Sequence, residues 1–271
     1  MIVAHLTDMH IAPPGGLAYG AVDTAGCLAA CLAHLRGLDP SPDAVVLTGD
    51  LVERGTDAEY ERCLGLLSQL AMPVYAIPGN HDEREAFRRS FAYAGYLPAS
   101  GYLQYVVENW PLRIVALDTV VAGAVGGALD DGRLEWLDAR LAERPAMPTL
   151  VMMHHPPFVT GLTYMDAQGL AGMNEFATVV ARHPQVERIL CGHLHRAIVA
   201  RVGGTVAVVA PSTAYQLALD LRAEAAGAYV MEPPAIYLHQ WRHGQGMASH
   251  LSLVGDFGPV RSFTERPGRA P

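Results

Sequence analysis

Short runs of apolar residues, many of them β-branched, recur along the chain, and each run ends in polar residues. Short apolar runs bounded by turn-forming residues are typical of buried strands. We therefore predict strands over six segments: Ile2–Leu6, Ala44–Leu47, Val74–Ile77, Ile114–Leu117, Leu150–Met153 and Arg188–Leu190.

Between several of these runs, apolar residues repeat with helical spacing. A capping box at Thr56–Glu59 predicts the start of one helix, and Leu134–Leu141 and Asn174–Arg182 indicate two more. Cys27 and Cys31 are four residues apart on one face of another predicted helix, where they would pack as small buried residues. Strands that alternate with helices predict an α/β fold whose functional groups collect at the carboxyl ends of the strands.

The pattern changes after residue 200. We expect residues 1–200 to form the catalytic core, and residues 201–271 to complete it with β structure and to form a lid or dimer contact. A helix is expected there only near Gln216–Ala226, and the tail Thr264–Pro271 is expected to be poorly ordered. The late strands are predicted over Val202–Ala210, Ala228–Met231 and Ile236–Trp241.

Composition and charge exclude several functions. All 19 basic residues are arginine, so a Walker P-loop, protein-kinase chemistry and Schiff-base catalysis, which need lysine, are excluded. The formal net charge of −8 argues against nucleic acid polymers as partners. No signal peptide or long apolar run is evident, which predicts a cytoplasmic protein with no membrane contact.

Five of the predicted strands are followed by acidic, amide or imidazole side chains. Each block alone is ordinary turn chemistry, but strand ends meet in an α/β fold, so five blocks together predict convergence. Residues i and i+2 at a strand end should also face the same side. The blocks contain Asp8 and His10, Asp50, Asn80 and His81, His154, and His193 and His195.

Excluding His81, these blocks offer two aspartates, one asparagine and four histidines, which are too many ligands for one tetrahedral ion. If Asp50 bridges, two ions receive four protein ligands each. The set contains no cysteine, so iron, manganese, zinc or cobalt fits it better than a structural zinc–thiolate site. Two such ions, about 3.5–4 Å apart, suit in-line displacement at phosphorus.

The order D-x-H, G-D, G-N-H-D, H-H-P and G-H-x-H resembles the calcineurin-like metallophosphoesterase family over most of residues 1–200. The flanking sequence is most similar to that of bacterial glycerophosphodiesterases and class III cyclic-nucleotide phosphodiesterases. This resemblance implies a four-layer αββα sandwich with a small C-terminal β region that serves as a lid or for dimerisation.

The resemblance also implies roles for the site residues. The first metal would be held by Asp8, His10, Asp50 and His195, and the second by Asp50, Asn80, His154 and His193. Catalysis would use a metal-bound hydroxide. His81 would contact a phosphoryl oxygen or protonate the leaving alkoxide.

Several neighbouring residues receive simpler interpretations. His155 should point away from the ligands and pack, and Cys191 should be buried. Asp118 either orients a ligand histidine or caps a turn. The pair His239 and His243 lies in predicted strand and turn, which does not suit a zinc site.

Three arginines and two loops are candidates for contacts with a substrate. Arg84, Arg88 and Arg89 favour a solvated helix face over a substrate clamp. The loops Ala12–Tyr19 and Pro211–Gln216 could form the outer wall of the pocket. Tyr215 stands in the second loop where related glycerophosphodiesterases can carry histidine; it could stack on a nucleobase or bind a polyol.

The resulting hypothesis is a dinuclear metal-dependent phosphodiesterase that hydrolyses a small molecule, either a glycerophosphodiester or a cyclic nucleotide. One alternative is a phosphomonoesterase or protein phosphatase, which would use further arginines, and only Arg54 accompanies a motif. A repair nuclease and a non-catalytic scaffold of the same fold are two more. A homo-oligomer of two or more chains is expected.

Overall fold

The computed structural model describes residues 1–263, which contain six α-helices and fifteen strands. The helices are α1 (Thr24–Arg36), α2 (Asp57–Leu67), α3 (Arg84–Ser90), α4 (Asp131–Ala142), α5 (Thr163–Asp166) and α6 (Met173–Ala181), with a 3₁₀ turn at Ala92–Ala94. The strands are β1 (Ile2–Leu6), β2 (Ala44–Thr48), β3 (Val74–Ile77), β4 (Tyr105–Val107), β5 (Arg113–Ala116), β6 (Gly127–Ala128), β7 (Thr149–Met152), β8 (Leu170–Ala171), β9 (Val186–Cys191), β10 (Ile198–Val202), β11 (Thr205–Val209), β12 (Gln216–Leu217), β13 (Tyr229–Val230), β14 (Ala235–Arg242) and β15 (Gly246–Leu253).

The two large sheets both have parallel centres. The first has the order β15-β14-β1-β2-β3, with β1, β2 and β3 parallel. The second has the order β10-β11-β9-β7-β5-β4, with β5, β7, β9 and β11 parallel and antiparallel strands at both edges. All six strands predicted before residue 200 are therefore confirmed. Because the central strands of each sheet are parallel, their carboxyl ends share one edge.

Alternation along the strands builds the layers. In β1, Ala4 and Leu6 pack with the buried face of α1 and α2, while Val3 faces the second sheet. The layer between the sheets includes Val46 of the first sheet and Leu150 of the second. The other face of the second sheet packs against α4 and α6. The four-layer αββα sandwich is confirmed.

Local signals in the sequence set the helix ends. Thr56 Oγ1 accepts from the Glu59 amide at 3.4 Å, and Glu59 Oε2 accepts from the Thr56 amide at 3.0 Å, so the predicted capping box begins α2. In α1, Cys31 is buried as predicted and Cys27 is half-buried. No helix in the described part of the chain has the length and apolar character needed to cross a membrane.

The predicted helix near Gln216–Ala226 is wrong. Gln216–Leu217 forms β12, which pairs with β13, and the residues that follow are turns and irregular chain. The alanine- and leucine-rich sequence favours a helix locally, but strand pairing overrides that preference. Leu219 and Leu221 are exposed, so no buried stripe is available to stabilise a helix there.

The single strand predicted over Val202–Ala210 is also wrong. This segment contains the end of β10, a turn at Gly203 and Gly204, and β11. Both glycines have positive φ, which lets the chain reverse direction. The predicted division at residue 200 falls inside β10 and stays a prediction. The predicted disorder of Thr264–Pro271 lies outside the described residues.

Candidate metal centre

All seven side chains predicted as metal ligands come together at the carboxyl edge of the two sheets. Each follows one of the parallel strands: β1, β2 and β3 in the first sheet, and β7 and β9 in the second. Their ligand atoms form overlapping groups within 4.8 Å, to which Asn80 adds its amide oxygen. The groups include Asp8, His10 and His195; Asp8, Asp50 and His154; and His154, His155 and His193.

The prediction that residues i and i+2 face one side because the strand end is extended is wrong. Five of the seven residues have positive φ, so each D-x-H or H-x-H pair is held by left-handed backbone and not by an extended strand end. Left-handed backbone is uncommon for residues other than glycine and is concentrated at functional sites. The five are Asp8 (φ 51°), His10 (44°), Asp50 (50°), His193 (71°) and His195 (48°).

Two glycines allow the blocks to approach one another. A Cβ atom on Gly79 would collide with the side chain of Asp50, and one on Gly192 would collide with the side chain of Thr7. Both positions therefore require glycine for packing. The G-N-H-D and G-H-x-H motifs carry this requirement in their first residue.

One half of the centre lies around Asp8. His195 Nε2 is 3.5 Å from Asp8 Oδ1, and His10 Nε2 is 3.0 Å from His195 Nε2. His10 Nε2 is also 3.6 Å from Asp50 Oδ2. Asp8 accepts from the amide of His193, which ties this half to the motif after β9.

The other half lies around Asn80. Its Oδ1 is 3.1 Å from His154 Nε2 and 3.0 Å from His193 Nδ1. His154 Nε2 is 3.4 Å from Asp50 Oδ2, the same oxygen that His10 approaches. Asp50 therefore lies between the two halves.

The outward nitrogen of each of these four histidines contacts an oxygen that can only accept a hydrogen bond. The outward nitrogen must therefore carry the proton, and in a neutral ring the inward nitrogen is a lone pair. The four contacts are His10 Nδ1 to Glu53 Oε2 (3.0 Å), His154 Nδ1 to Thr48 O (2.7 Å), His193 Nε2 to Gln168 O (3.1 Å) and His195 Nδ1 to Tyr215 O (3.1 Å).

This protonation pattern makes the interior of the centre electron-rich. When all four rings are neutral, the inward nitrogens of His10 and His195 face each other at 3.0 Å as two acceptors, and the nitrogens beside Asn80 face an amide oxygen. Without a metal, a proton on His10 or on His154, whose pKa values are raised by neighbouring carboxylates, relieves part of this crowding. Two buried carboxylates, Asp8 and Asp50, add negative charge. Acceptors crowded in this way need cations between them, and nitrogen and carboxylate donors suit divalent transition metals. The residues present therefore fit a pair of metal ions.

The two buried aspartates of the centre differ in pKa. Burial raises the pKa of Asp8 to about 6, although the positive charges of His154 and His10 partly oppose this. Burial also acts to raise the pKa of Asp50, but His154 and His10, together with His81, hold it well below its usual value. Asp50 is therefore the permanent negative charge of the centre.

The histidines divide into two kinds. Burial acts to lower the pKa of His154, but the Asp50 carboxylate outweighs it and raises this pKa to about 9. Burial dominates for His195, whose pKa falls to about 3, and for His193, whose pKa lies well below its usual value. Neutral imidazoles of the second kind are ready to act as ligands.

His81 lies at the edge of the centre and lines the adjoining cavity. Its amide donates to Asp50 Oδ1 at 2.8 Å, and its Nδ1 donates to the Glu53 carbonyl oxygen at 2.9 Å. No hydrogen bond from the described residues reaches its Nε2. The ring also contacts His10 edge-on, with centroids 4.6 Å apart. His81 therefore presents one nitrogen to a ligand in the cavity.

Glu53 is a site residue that the sequence prediction missed. Its carboxylate fixes the outward nitrogen of His10, and its carbonyl fixes His81. The available signal is its position three residues after Asp50, in the same block. A partner of this kind orients a ligand histidine.

The contacts of His155 and Asp118 indicate the role of each residue. His155 is buried as predicted, with Nδ1 2.8 Å from Thr119 Oγ1 and Nε2 donating to the Val125 carbonyl at 2.9 Å. The prediction that it points away from the ligands is wrong, because its ring lies 4.5 Å from that of His193 and one of its nitrogens lies within 4.8 Å of ligand atoms of His154 and His193. Asp118 accepts from the Val120 amide, as a turn cap does, and forms an ion pair with Arg84 at 2.8 Å. It orients no ligand histidine among the described residues.

The prediction of a solvated face for Arg84, Arg88 and Arg89 is wrong in part. Arg84 is bound to Asp118, and Arg88 donates to backbone carbonyls, including that of Gly101 at 2.6 Å. Only Arg89 is largely exposed. A guanidinium with several acceptors in reach gains more from them than from water.

The pair His239 and His243 lies in strand β14 and the turn after it, as predicted. His239 is buried and contacts His5, while His243 is exposed. Cys191 is buried, as predicted.

A cavity of about 370 Å³ opens over the centre. The two predicted wall loops contribute Tyr19 and Tyr215. No arginine lines this cavity in the described part of the chain, and Arg54 is not among its residues. Besides residues of the centre, its lining includes Tyr19, Tyr164, Gln168, Tyr215, Leu217 and Tyr229.

Comparison with known proteins agrees with this geometry. The sequence profile described as calcineurin-like phosphoesterase matches residues 1–197. The chain is 38% identical over 268 residues to a protein named a probable glycerophosphodiester phosphodiesterase in Arcobacter nitrofigilis, covering 98% of both chains. It is 32% identical over 214 residues to the 3′,5′-cyclic adenosine monophosphate phosphodiesterase of Escherichia coli, covering 79% of this chain and 76% of that protein.

Solved structures share the fold. A dimetal phosphatase from Danio rerio superposes with a TM-score of 0.63 at 15% identity, covering 94% of this chain and 99% of that one. A purple acid phosphatase from yellow lupin gives a TM-score of 0.62 at 15% identity, covering 88% and 49%. The chain therefore belongs to the calcineurin-like phosphoesterase family.

Proposed function

We propose that this protein is a dinuclear metal-dependent phosphodiesterase that hydrolyses small phosphodiesters. The observation that carries the proposal is Asp50 Oδ2, which lies 3.6 Å from His10 Nε2 and 3.4 Å from His154 Nε2 between two groups of donors. Relatives of nearly equal length are named as phosphodiesterases of glycerophosphodiesters, and other relatives as phosphodiesterases of cyclic nucleotides.

The two metals would share the donors as follows. Asp8, His10, Asp50 and His195 would hold one ion, and Asp50, Asn80, His154 and His193 would hold the other. Iron, manganese, zinc or cobalt suits this donor set. When bound, two such ions neutralise phosphoryl charge and lower the pKa of water, which supplies a nucleophile at neutral pH.

The other residues around the centre orient the ligand imidazoles or donate protons. Glu53 and three backbone carbonyls hold the ligand imidazoles by their outward nitrogens. His81 faces the cavity with Nε2, and its Nδ1 is fixed by Glu53 O. We propose that the imidazolium form of His81, with a proton on both nitrogens, contacts a phosphoryl oxygen through Nε2 and donates the Nε2 proton to the leaving alkoxide. The ring then becomes neutral and keeps its Nδ1 proton toward Glu53 O.

The lining of the cavity favours diesters over monoesters. A monoester is a dianion that arginines commonly help to bind, and no arginine lines the cavity in residues 1–263. A diester carries one negative charge and a second organic arm. The tyrosines and Leu217 on the wall offer an apolar surface for that arm.

We also propose a small molecule, and no nucleic acid polymer, as the substrate, since the chain is acidic. A homo-oligomer, a cytoplasmic location and a lid formed by the C-terminal region stay predictions.

The test is a comparison of two chromogenic esters. The protein is stripped with chelator, manganese, cobalt or zinc is restored, and bis-p-nitrophenyl phosphate is compared with p-nitrophenyl phosphate. We expect a higher kcat/KM for the diester with at least one metal. A higher value for the monoester would favour the phosphatase alternative, and no turnover with any metal would favour a non-catalytic scaffold.

A further inference from the structure

Three tyrosine rings from distant parts of the chain meet on one wall of the cavity. Tyr19 comes from the loop after β1, Tyr215 precedes β12, and Tyr229 lies in β13. The rings of Tyr19 and Tyr229 stack, with centroids 5.0 Å apart and planes 18° apart. Tyr215 meets both rings edge-on, at 5.3 Å and 5.5 Å.

This cluster adjoins the candidate metal centre directly. The Tyr215 ring is 4.8 Å from the His195 ring and 5.7 Å from the His10 ring, and its carbonyl fixes His195. A diester whose phosphate lies at the centre would therefore place one of its arms beside these tyrosines.

The rings differ sharply in exposure. Tyr215 is 4% exposed, whereas Tyr229 is 41% exposed and Tyr19 is 66% exposed. Tyr215 therefore supports the stack from behind, and Tyr19 and Tyr229 leave aromatic surface open. Their outer surface is available to a ligand.

The position of Tyr19 is maintained against backbone strain. Its φ is 51°, in the left-handed region that bulky residues rarely adopt. Two backbone hydrogen bonds between Ala18 and Val22, both 2.9 Å long, close the turn that holds it. Strain of this kind at a pocket indicates that the direction of the side chain matters.

The shape and polarity of the wall select among ligands. Leu217 and Ala228 add apolar surface beside the rings, and no carboxylate of the described residues lines this wall. A quaternary ammonium group needs ring faces on several sides, but Tyr19 and Tyr229 turn one face toward each other. A flat heteroaromatic ring needs only one open face on which to stack.

We propose that Tyr19 and Tyr229, supported by Tyr215, form a base-stacking platform and that the preferred substrates are diesters carrying a nucleobase, such as cyclic nucleotides. This inference rests on the proposed phosphodiesterase function. Under it, the stack contributes to binding of the base and leaves the chemistry at phosphorus to the centre.

The kinetic test compares two diesters in several variants. For Tyr19→Leu and Tyr229→Leu, we expect the KM for 3′,5′-cyclic adenosine monophosphate to rise about 5- to 100-fold, the range for the loss of one stacked base. The rise for glycerophosphoethanolamine should be several-fold smaller. Tyr19→Phe keeps the ring and should restore most of the affinity. The exposed Tyr93→Leu, outside the cavity lining, is the matched control and should behave as the parent.

A binding measurement tests the platform without turnover. Saturation-transfer NMR with adenosine and the chelator-treated protein should show strong transfer to the base protons in the parent and in Tyr93→Leu. We expect weak transfer in Tyr19→Leu and Tyr229→Leu. Circular dichroism of each variant verifies that it is folded.

The two proposals fail in different ways. If no diester is hydrolysed with any metal but adenosine binding depends on Tyr19, the phosphodiesterase function is wrong and the platform stands. If diesters are hydrolysed but Tyr19→Leu raises both KM values equally, or leaves adenosine binding unchanged, the platform is overturned and the phosphodiesterase function stands.

Discussion

Among the described residues, two pairs of buried imidazoles place ring nitrogens within 3.3 Å of each other, and only one of these pairs belongs to the candidate metal centre. His10 and His195 approach at 3.0 Å between their Nε2 atoms, and His5 Nδ1 lies 3.3 Å from His239 Nε2. All four side chains are buried. Crowding and burial therefore do not distinguish the two pairs.

The pair formed by His5 and His239 ends on hydroxyl groups. His5 Nε2 is 2.8 Å from Thr48 Oγ1, and His239 Nδ1 is 2.8 Å from Ser249 Oγ. A hydroxyl can donate or accept, so a chain of two neutral imidazoles satisfies every nitrogen. This pair needs no cation.

The pair formed by His10 and His195 ends on oxygens that only accept. Glu53 Oε2 and the Tyr215 carbonyl require a proton on each Nδ1, so in the neutral rings both Nε2 atoms are acceptors that face each other, and a cation is needed between them. Asp8 and Asp50 add negative charge beside them. The partners behind the imidazoles, more than the imidazoles themselves, distinguish the pair that fits a cation.

The largest effect is expected from removing the negative charge at Asp50. Asp50→Asn keeps the size of the side chain but neutralises the group shared by both halves of the centre. We expect kcat/KM for bis-p-nitrophenyl phosphate to fall about a thousandfold. The control is Asp57→Asn. Asp57 is exposed and forms an ion pair with Arg89, so this variant should keep activity near that of the parent. Activity close to that of the parent in Asp50→Asn would show that the shared carboxylate is not needed.

Loss of His81 should affect poor leaving groups most. In His81→Ala, proton donation to the leaving oxygen is lost, so we expect about a hundredfold lower kcat for alkyl diesters and a much smaller loss for p-nitrophenyl diesters. Steady-state kinetics across diesters of graded leaving-group pKa measures the difference. Equal losses for every leaving group would count against a general-acid role and leave only a phosphate contact.

Changing the partner of His10 tests whether a partner that can only accept a hydrogen bond prepares His10 to bind metal. Glu53→Gln keeps the shape but lets the side chain donate as well as accept, so His10 is no longer restricted to one tautomer. We expect metal affinity to fall about 10- to 100-fold, measured by competition with a chromogenic chelator. Glu61→Gln, on the exposed face of α2, should bind metal as the parent does. An affinity unaffected by Glu53→Gln would mean that the tautomer is fixed elsewhere.

The smallest effect concerns acid stability. Burial lowers the pKa of His5 from 6.5 to about 3, so the unfolded chain binds the proton more tightly than the folded one below pH 6.5. The stability of the folded protein therefore falls as the pH drops from about 6.5 toward 3, and His5 contributes to that fall. His5→Gln lacks this contribution but also loses the native hydrogen bonds.

We therefore expect the difference in free energy of unfolding between parent and His5→Gln to shrink as the pH is lowered from 6.5 to 4. Urea titrations of the chelator-treated proteins measure it. Ala248→Ser, which changes no titratable group at an exposed position on β15, should show a constant difference from the parent. A gap that widens in acid would mean that protonated His5 is stabilised by folding.

The convergence of the seven side chains could be predicted from the sequence because the signal in each block is local. Each block directly follows a buried strand, and strand ends of parallel sheets meet at one edge. The left-handed backbone of Asp8 and His193 could not be predicted from the motifs, because nothing in D-x-H or G-H-x-H distinguishes it from an extended strand end.

The cavity wall was predicted only in part: the loops that contribute Tyr19 and Tyr215 were predicted, and Tyr229 was missed because its position depends on a distant pairing. Tyr229 reaches Tyr19 only because β12 pairs with β13, in the region where local composition favours a helix. Arg84 likewise finds Asp118 across 34 residues of sequence, so its charge is paired and not solvated. Tertiary contacts of this kind override local preference.

Metal analysis tests whether these seven separated side chains hold two divalent ions. The parent and Asn80→Ala are stripped, reloaded with manganese or zinc, desalted and analysed for bound metal per chain. We predict about two ions for the parent and a clear loss in Asn80→Ala. Equal metal content in the two proteins, or a parent that retains no metal, would contradict the claim.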